Sequence, residues 1–387
     1  MKKPINHIYL IILLAILSAV APVAVDTYIP SIPSMANDFQ VGIEQVELTL
    51  AIFLIGFAIG QIFGGVLSDR LGRKKSSLIG LLGFAFFSFI IIFSTHIFEL
   101  WIYRFIEAFF GGLIVVNASA AVRDLFHGTQ AAKVFSLIGT VRSLAPLLAP
   151  AIGSLIIHFF EWEAIFIFLT LYALIVAFFV NKDFEETYTY TKTKALESYK
   201  IVFRNTQAMK IMLVLALGFS GMFIFIAKSS YIYIEYFGIS TDAFPFYFGI
   251  SILTLMLLIR VNIKLLEKYK SILLIQFAIG FQVITALVFI LMANEISLYA
   301  IMVLTALYIG MNAFIYGNCT ALALESFSKN AGVASSVIGV VQFGIGALIT
   351  SMVLLFHTDN LTPIAVSIFL ISSSSFFILR SYKSSNG

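Results

Sequence analysis

Five ionisable side chains stand inside stretches of this chain that are otherwise apolar: Asp26, Arg104, Glu107, Arg142 and Lys228. An ionised group near the centre of a bilayer costs about 2.5–3.5 kcal/mol on insertion scales, so each is a candidate for function. A carboxylate in such a place can take up and release a proton, because burial favours its neutral form and a neighbouring cation its charged form. Arginine does not deprotonate, so Arg104 can only pair with an acid, orient it and bias it. Arg104 lies five residues in from Glu99, about 7–8 Å along a helix, a depth that Asp26 can share. Two arrangements fit. Asp26 is a proton carrier biased by Arg104, or the two form a fixed pair that holds the first and fourth helices together. Glu107, three residues past Arg104 on the same helical face, is open in the same way: a second proton site, or a partner that neutralises Arg104 and leaves Asp26 free. Arg142 and Lys228 either snorkel or pair with these acids, or they bind an anionic part of a ligand. Three cations against two acids leave one positive charge over, which tilts the ligand towards neutral or anionic compounds.

These groups need helices to hold them. The 387 residues are 60% hydrophobic and only 11% charged, against roughly 25% charged in soluble domains. Apolar runs near 20 residues recur from end to end, each long enough to cross a hydrocarbon core of about 30 Å. They are continuous rather than short and alternating, which excludes a β-barrel. The expected fold class is an all-α membrane protein with twelve spans, near 7–31, 43–67, 76–95, 99–122, 134–158, 162–181, 209–234, 243–263, 271–292, 296–320, 331–356 and 361–380. With both termini cytoplasmic, all but three of the 24 Lys and Arg residues fall in inner loops or at inner helix ends and none in an outer loop. The first run, "MKKPINHIYLIILLAILSAVAPVA", reads as a retained helix, since Pro22 after "AVA" suits cleavage poorly. The longest polar break divides the chain into an N-terminal bundle at 1–181, a central loop at 182–208 and a C-terminal bundle at 209–387. Its charges and Leu196, Ile201 and Val202 suggest a short amphipathic segment on the membrane surface. The single Cys319 excludes a disulfide framework or a thiolate metal cluster. There is no phosphate-binding loop and no metal-spaced His pair, so an enzyme is not expected.

One loop carries more order than orientation alone requires. In "GGVLSDRLGRKKSS", residues 64–77, the positive-inside bias explains the basic residues but not the Gly-x-Leu-x-Asp-Arg-x-Gly-Arg-Lys order. That order resembles the loop signature of the major facilitator superfamily, placed here on Gly65, Asp69, Arg70, Gly72 and Arg73. Further stretches narrow the resemblance to its Bcr/CflA-type drug-efflux branch: "DTYIPSIPSMANDF", "GFAIGQIFGGVLSDRLGRK", "YRFIEAFFGG", "VRDLF", "LAPLLAPAIGS" with "WEAIFIF", "GNCTALALESF" and "AGVASSVIGVVQFGIGA". They cover nearly the whole chain.

The resemblance implies two six-helix bundles around a cavity that opens alternately to either side, and export of drugs or metabolites in exchange for protons. It implies proton coupling at Asp26 with Arg104 and Glu107, the last where the family commonly has Gln. Asp69 is implied to close the cytoplasmic side against the helix start near Ala331-Gly332. Pro146, Pro150 and Gly153 resemble the family's antiporter motif, with Ala149 and Ser154 in place of two glycines. Tyr28 and Tyr231 flank charged positions and, with Arg142 and Lys228, are the candidate substrate contacts. No cofactor beyond a proton gradient is expected. The expected partners are a small-molecule substrate, protons and the lipid bilayer, with no nucleic acid, for a monomer in a bacterial cytoplasmic (inner) membrane. A second reading is a transporter of an endogenous anionic metabolite, such as a carboxylate siderophore, which Arg142 and Lys228 would suit.

Overall fold

The prolines near the end of the first apolar run decide where its helix stops. In the computed structural model, which describes residues 7–126, 128–187, 195–327, 331–355 and 360–382, helix α1 spans His7–Asp26. Pro30 has no N–H to offer the Asp26 carbonyl four residues back, and its ring crowds that carbonyl. The chain therefore leaves the helix at Asp26, makes a 3₁₀ turn at Ile29–Ser31, and restarts as α2, Ile32–Phe39, with a proline in the first turn of each. The sequence extends this span to residue 31; Pro30 ends it earlier.

Five long helices complete the first unit: α3 (Ile43–Leu71), α4 (Arg73–Ile91), α5 (Ile97–Leu125), α6 (Gly128–Phe159) and α7 (Glu163–Asp183). Only Gly72 separates α3 from α4, at φ +92°, a conformation that disfavours any side chain. Helices α3 and α5 lie almost backbone to backbone. A Cβ at Gly56 or Gly60 would run into the carbonyl of Phe105 or Phe109. This close approach presses Phe105, and hence Arg104 beside it, against α3.

The chain divides into two compact units, Met1–Lys192 and Thr193–Gly387, with the boundary inside the 182–208 segment. A short helix, α8 (Ala195–Arg204), follows it. In the second unit α9 (Thr206–Ser230) widens into a π-helical turn at Tyr231–Tyr236. Then come α10 (Phe244–Leu265), α11 (Ser271–Met292), α12 (Leu298–Gly310), α13 (Asn312–Glu325), α14 (Ala331–Leu354) and α15 (Thr362–Arg380). The sequence places one span over 296–320; the structure interrupts it at Met311. The Gln282 amide of α11 donates to the Tyr308 carbonyl at 3.1 Å, the acceptor that the Asn312 N–H would use in an unbroken helix.

Among the described residues, eleven helices are long and apolar enough to cross a membrane, and Leu144–Phe159 of α6 is a shorter apolar helix. Large apolar side chains such as Phe86, Leu291 and Leu355 stand on the outside. That is the reverse of a water-soluble surface and suits lipid contact.

Candidate functional site

Arg104 sits at the centre of the first unit with no exposed surface. Its Nη1 donates to Glu107 Oε2 at 2.7 Å, one helical turn along α5. The other Glu107 oxygen accepts from the Ser88 hydroxyl of α4, also at 2.7 Å. Among the described residues, Arg104 Nε and Nη2 have no hydrogen-bond partner. Aromatic faces supply the rest of the guanidinium's surroundings: Cζ lies 4.7 Å from the Tyr28 ring centroid, 4.5 Å from Phe53 and 5.8 Å from Phe166. Tyr28, just after the end of α1, meets Phe166 edge to face. Thr49 spends its hydroxyl proton on the Val46 carbonyl at 2.6 Å, so in the 2.9 Å contact between the two hydroxyls Tyr28 is the donor. Helices α3, α4, α5, α7 and the end of α1 thus meet around one ion pair.

The Arg104 partner differs from one of the two arrangements that the spacings allow. The guanidinium is held by Glu107, not by Asp26. Asp26 is 4% exposed and makes no hydrogen bond or ion pair among the described residues. Beside it, the Thr27 hydroxyl is buried without a hydrogen-bond partner among the described residues, as is that of Ser154 on α6. Helix α6 comes this close because residue 153 is glycine: a Cβ there would collide with the Thr27 carbonyl. Pro146 and Pro150 lie inside the same helix. The Arg142 side chain lies outside the described residues.

Glu47 on α3 is a further buried carboxylate, with no exposed surface and within electrostatic reach of Tyr28. Sequence reasoning missed it, since a glutamate near the outer end of a span reads as a loop acid. Its position two residues before Thr49 was the available signal. Ser88 gave none, because serines are common in membrane helices.

The loop motif forms its own network at the other end of these helices. Arg73 donates from Nη1 to Asp69 at 2.7 Å and to Ser68 at 2.5 Å, and from Nε to Asp124 at 2.9 Å. The backbone N–H groups of Arg73 and Lys74, at the start of α4, donate to the Glu186 carboxylate at 2.7 and 3.2 Å. Asp124 ends α5 within "VRDLF", so the sequence signal for it was present; Glu186 had none. Arg70 is exposed, and the space beside Gly65 is open. The side chains of Ala331 and Gly332, the expected contact for Asp69, lie outside the described residues.

In the second unit Lys228 is 5% exposed, with Nζ 5.1 Å from the Tyr231 ring. The π-helical turn places Tyr231 and Tyr233 in the interior, where Tyr233 and Thr305 share a hydrogen bond of 3.1 Å. π-Helical turns recur at functional sites. Among the described residues no cluster of His, Cys, Asp and Glu has the make-up of a metal site.

A family model described as Major Facilitator Superfamily matches residues 14–351. A bicyclomycin resistance protein homologue from Haemophilus influenzae is 32% identical over 360 residues, 91% of this chain and 90% of that protein. The multidrug resistance protein MdtL of Shewanella oneidensis is 29% identical, covering 84% of each chain. Among solved structures, a partially occluded inward-open form of the xylose transporter XylE from E. coli superposes with a TM-score of 0.76. It covers 98% of this chain and 99% of that one at 16% identity, a likeness of fold.

Proposed function

The chain belongs to the major facilitator superfamily, and we propose that it exports drug-like or toxic small molecules in exchange for protons. The protein is a transporter, not an enzyme. The drug class is supported by the names of the relatives, a bicyclomycin resistance homologue and multidrug resistance proteins. The observation that carries proton coupling is Asp26, a buried carboxylate at a proline break with no ion pair among the described residues. An acid in such a place favours its neutral form until water reaches it, which is what a carrier needs. On this reading the chain has twelve spans with both termini in the cytoplasm, as the Lys and Arg distribution requires. It works as a monomer in a bacterial inner membrane, and alternating access moves substrate and proton in turn. The gating role belongs to Asp69, and Tyr28, Tyr231, Arg142 and Lys228 contact the substrate.

One observation favours a second reading. Lys228 is a buried cation beside Tyr231, and it suits the carboxylate of an anionic metabolite. Purified protein in liposomes that enclose a pH-sensitive dye separates the two. Proton movement on addition of cationic or neutral drugs supports the first reading. Movement with polycarboxylates alone, lost in Lys228→Ala, supports the second and overturns the first.

A further inference from the structure

We propose that Asn312, with the phenols of Tyr308 and Tyr316 on either side, is a subsite for an uncharged hydrogen-bonding group of the exported molecule, a carboxamide or a hydroxyl. This assignment rests on the export reading and gives one part of the substrate a chemistry.

Tyr308, Asn312 and Tyr316 stand four residues apart along α12 and α13, in one column that faces α9. Asn312 has no exposed surface, and among the described residues neither its Nδ2 nor its Oδ1 has a hydrogen-bond partner. A carboxamide both donates and accepts, and a buried one without partners destabilises the fold unless something supplies them. Helix α9 brings no side chain to it: residue 218 is glycine, and a Cβ there would stand 3.1 Å from Oδ1. The neighbouring polar groups are phenols. The Tyr308 hydroxyl lies against Gly221 of α9, where a Cβ would collide with it, and shares a 2.8 Å hydrogen bond with Ser372 of α15. Side chains on a helix lean towards its N-terminus, so the Tyr316 ring covers the turn that holds Asn312. Its hydroxyl donates to the Met222 sulfur of α9 at 3.3 Å, a weak acceptor, and the two phenols are within electrostatic reach of each other. Tyr316 is partly exposed, and Gly317 after it is exposed with open space beside it. A ligand that takes the Tyr316 hydroxyl from sulfur thus gains entry to the amide one turn away. The groups of this column are all neutral. An ion brought here would give up its hydration to dipoles alone, whereas a carboxamide or hydroxyl exchanges water for partners that donate and accept as it does. Lys228 stands seven residues past Gly221 on α9, about 10 Å further along that helix.

The test compares two radiolabelled probes in equilibrium binding to the purified protein. Chloramphenicol is uncharged and carries a carboxamide and two hydroxyls; tetraphenylphosphonium is a cation with no hydrogen-bonding group. The readout is the ratio of the two affinities, taken together with the thermal unfolding midpoint. Asn312→Leu is expected to shift the ratio about tenfold against chloramphenicol. Its unfolding midpoint is expected at or above that of wild type, because an unpaired buried amide has been removed. Tyr316→Phe, which keeps the ring, is expected to shift the ratio the same way by about threefold, and it decides the matter if Asn312→Leu does not fold. An unchanged ratio overturns the proposal. So does a lowered midpoint with both affinities reduced alike, which would make Asn312 a structural residue that holds a buried water. If wild-type protein binds chloramphenicol alone, the fall in that affinity at an undiminished midpoint is the readout. If it binds tetraphenylphosphonium alone, the proposal fails and the export reading stands; if it binds neither, the export reading fails as well.

Discussion

Arg104 and Arg73 belong to the same unit and solve the same problem in opposite ways. Among the described residues Arg104 has one acid, one fork nitrogen engaged, three aromatic faces and no solvent. Arg73 has two acids and a serine, and one of those acids, Asp69, keeps 53% of its side chain exposed. In the core the pair is a desolvated unit whose members are stable only together. At the loop the charges are shared among three elements and partly in water, so each contact contributes less and can break and re-form. The contrast fits a fixed centre in the helix bundle and a rearranging contact at its end.

Four substitutions sharpen this contrast, from the largest effect to the smallest. Glu107→Ala strips Arg104 of the one acid that pairs with it among the described residues and should destabilise the fold by about 3–5 kcal/mol, read from denaturant unfolding of the purified protein. A loss under 1 kcal/mol would mean that the rings alone satisfy the guanidinium. Gly153→Val should cost about 1–3 kcal/mol by forcing α6 off the Thr27 carbonyl; Gly65→Ala, with open space beside it, is the control and should shift the unfolding midpoint little. Arg73→Lys keeps the charge but loses the fork that reaches Asp69 and Asp124 together, and should cost about 1 kcal/mol. Asp69→Asn should change stability by less than about 1 kcal/mol, because its partner contact is solvent-screened. If Asp69 gates the cytoplasmic side, that variant slows turnover and leaves substrate affinity intact; an affinity loss would place Asp69 in the binding site instead.

The sequence made the spans and the loop motif legible for plain reasons. A bilayer demands long apolar runs, and a turn as tight as that at Gly72 leaves glycine as the natural occupant. The i,i+3 spacing of Arg104 and Glu107 was also visible, and it left their pairing open. What it could not show was which acid Arg104 would choose, because that depends on Ser88 arriving from α4 to hold Glu107. The ring faces of Tyr28, Phe53 and Phe166 come from three separate elements, and aromatic residues are too frequent here, with 40 Phe and 16 Tyr, to single out. The break at Met311 was hidden for a similar reason. Its cause is Gln282 on a neighbouring helix, not a proline or glycine pair within the span itself.

The central claim concerns Asp26, and one measurement meets it directly. Asp26→Asn in liposomes, given a drug that wild-type protein exchanges for protons, should still bind the drug and release no protons. Proton release at the wild-type rate from Asp26→Asn would contradict the account.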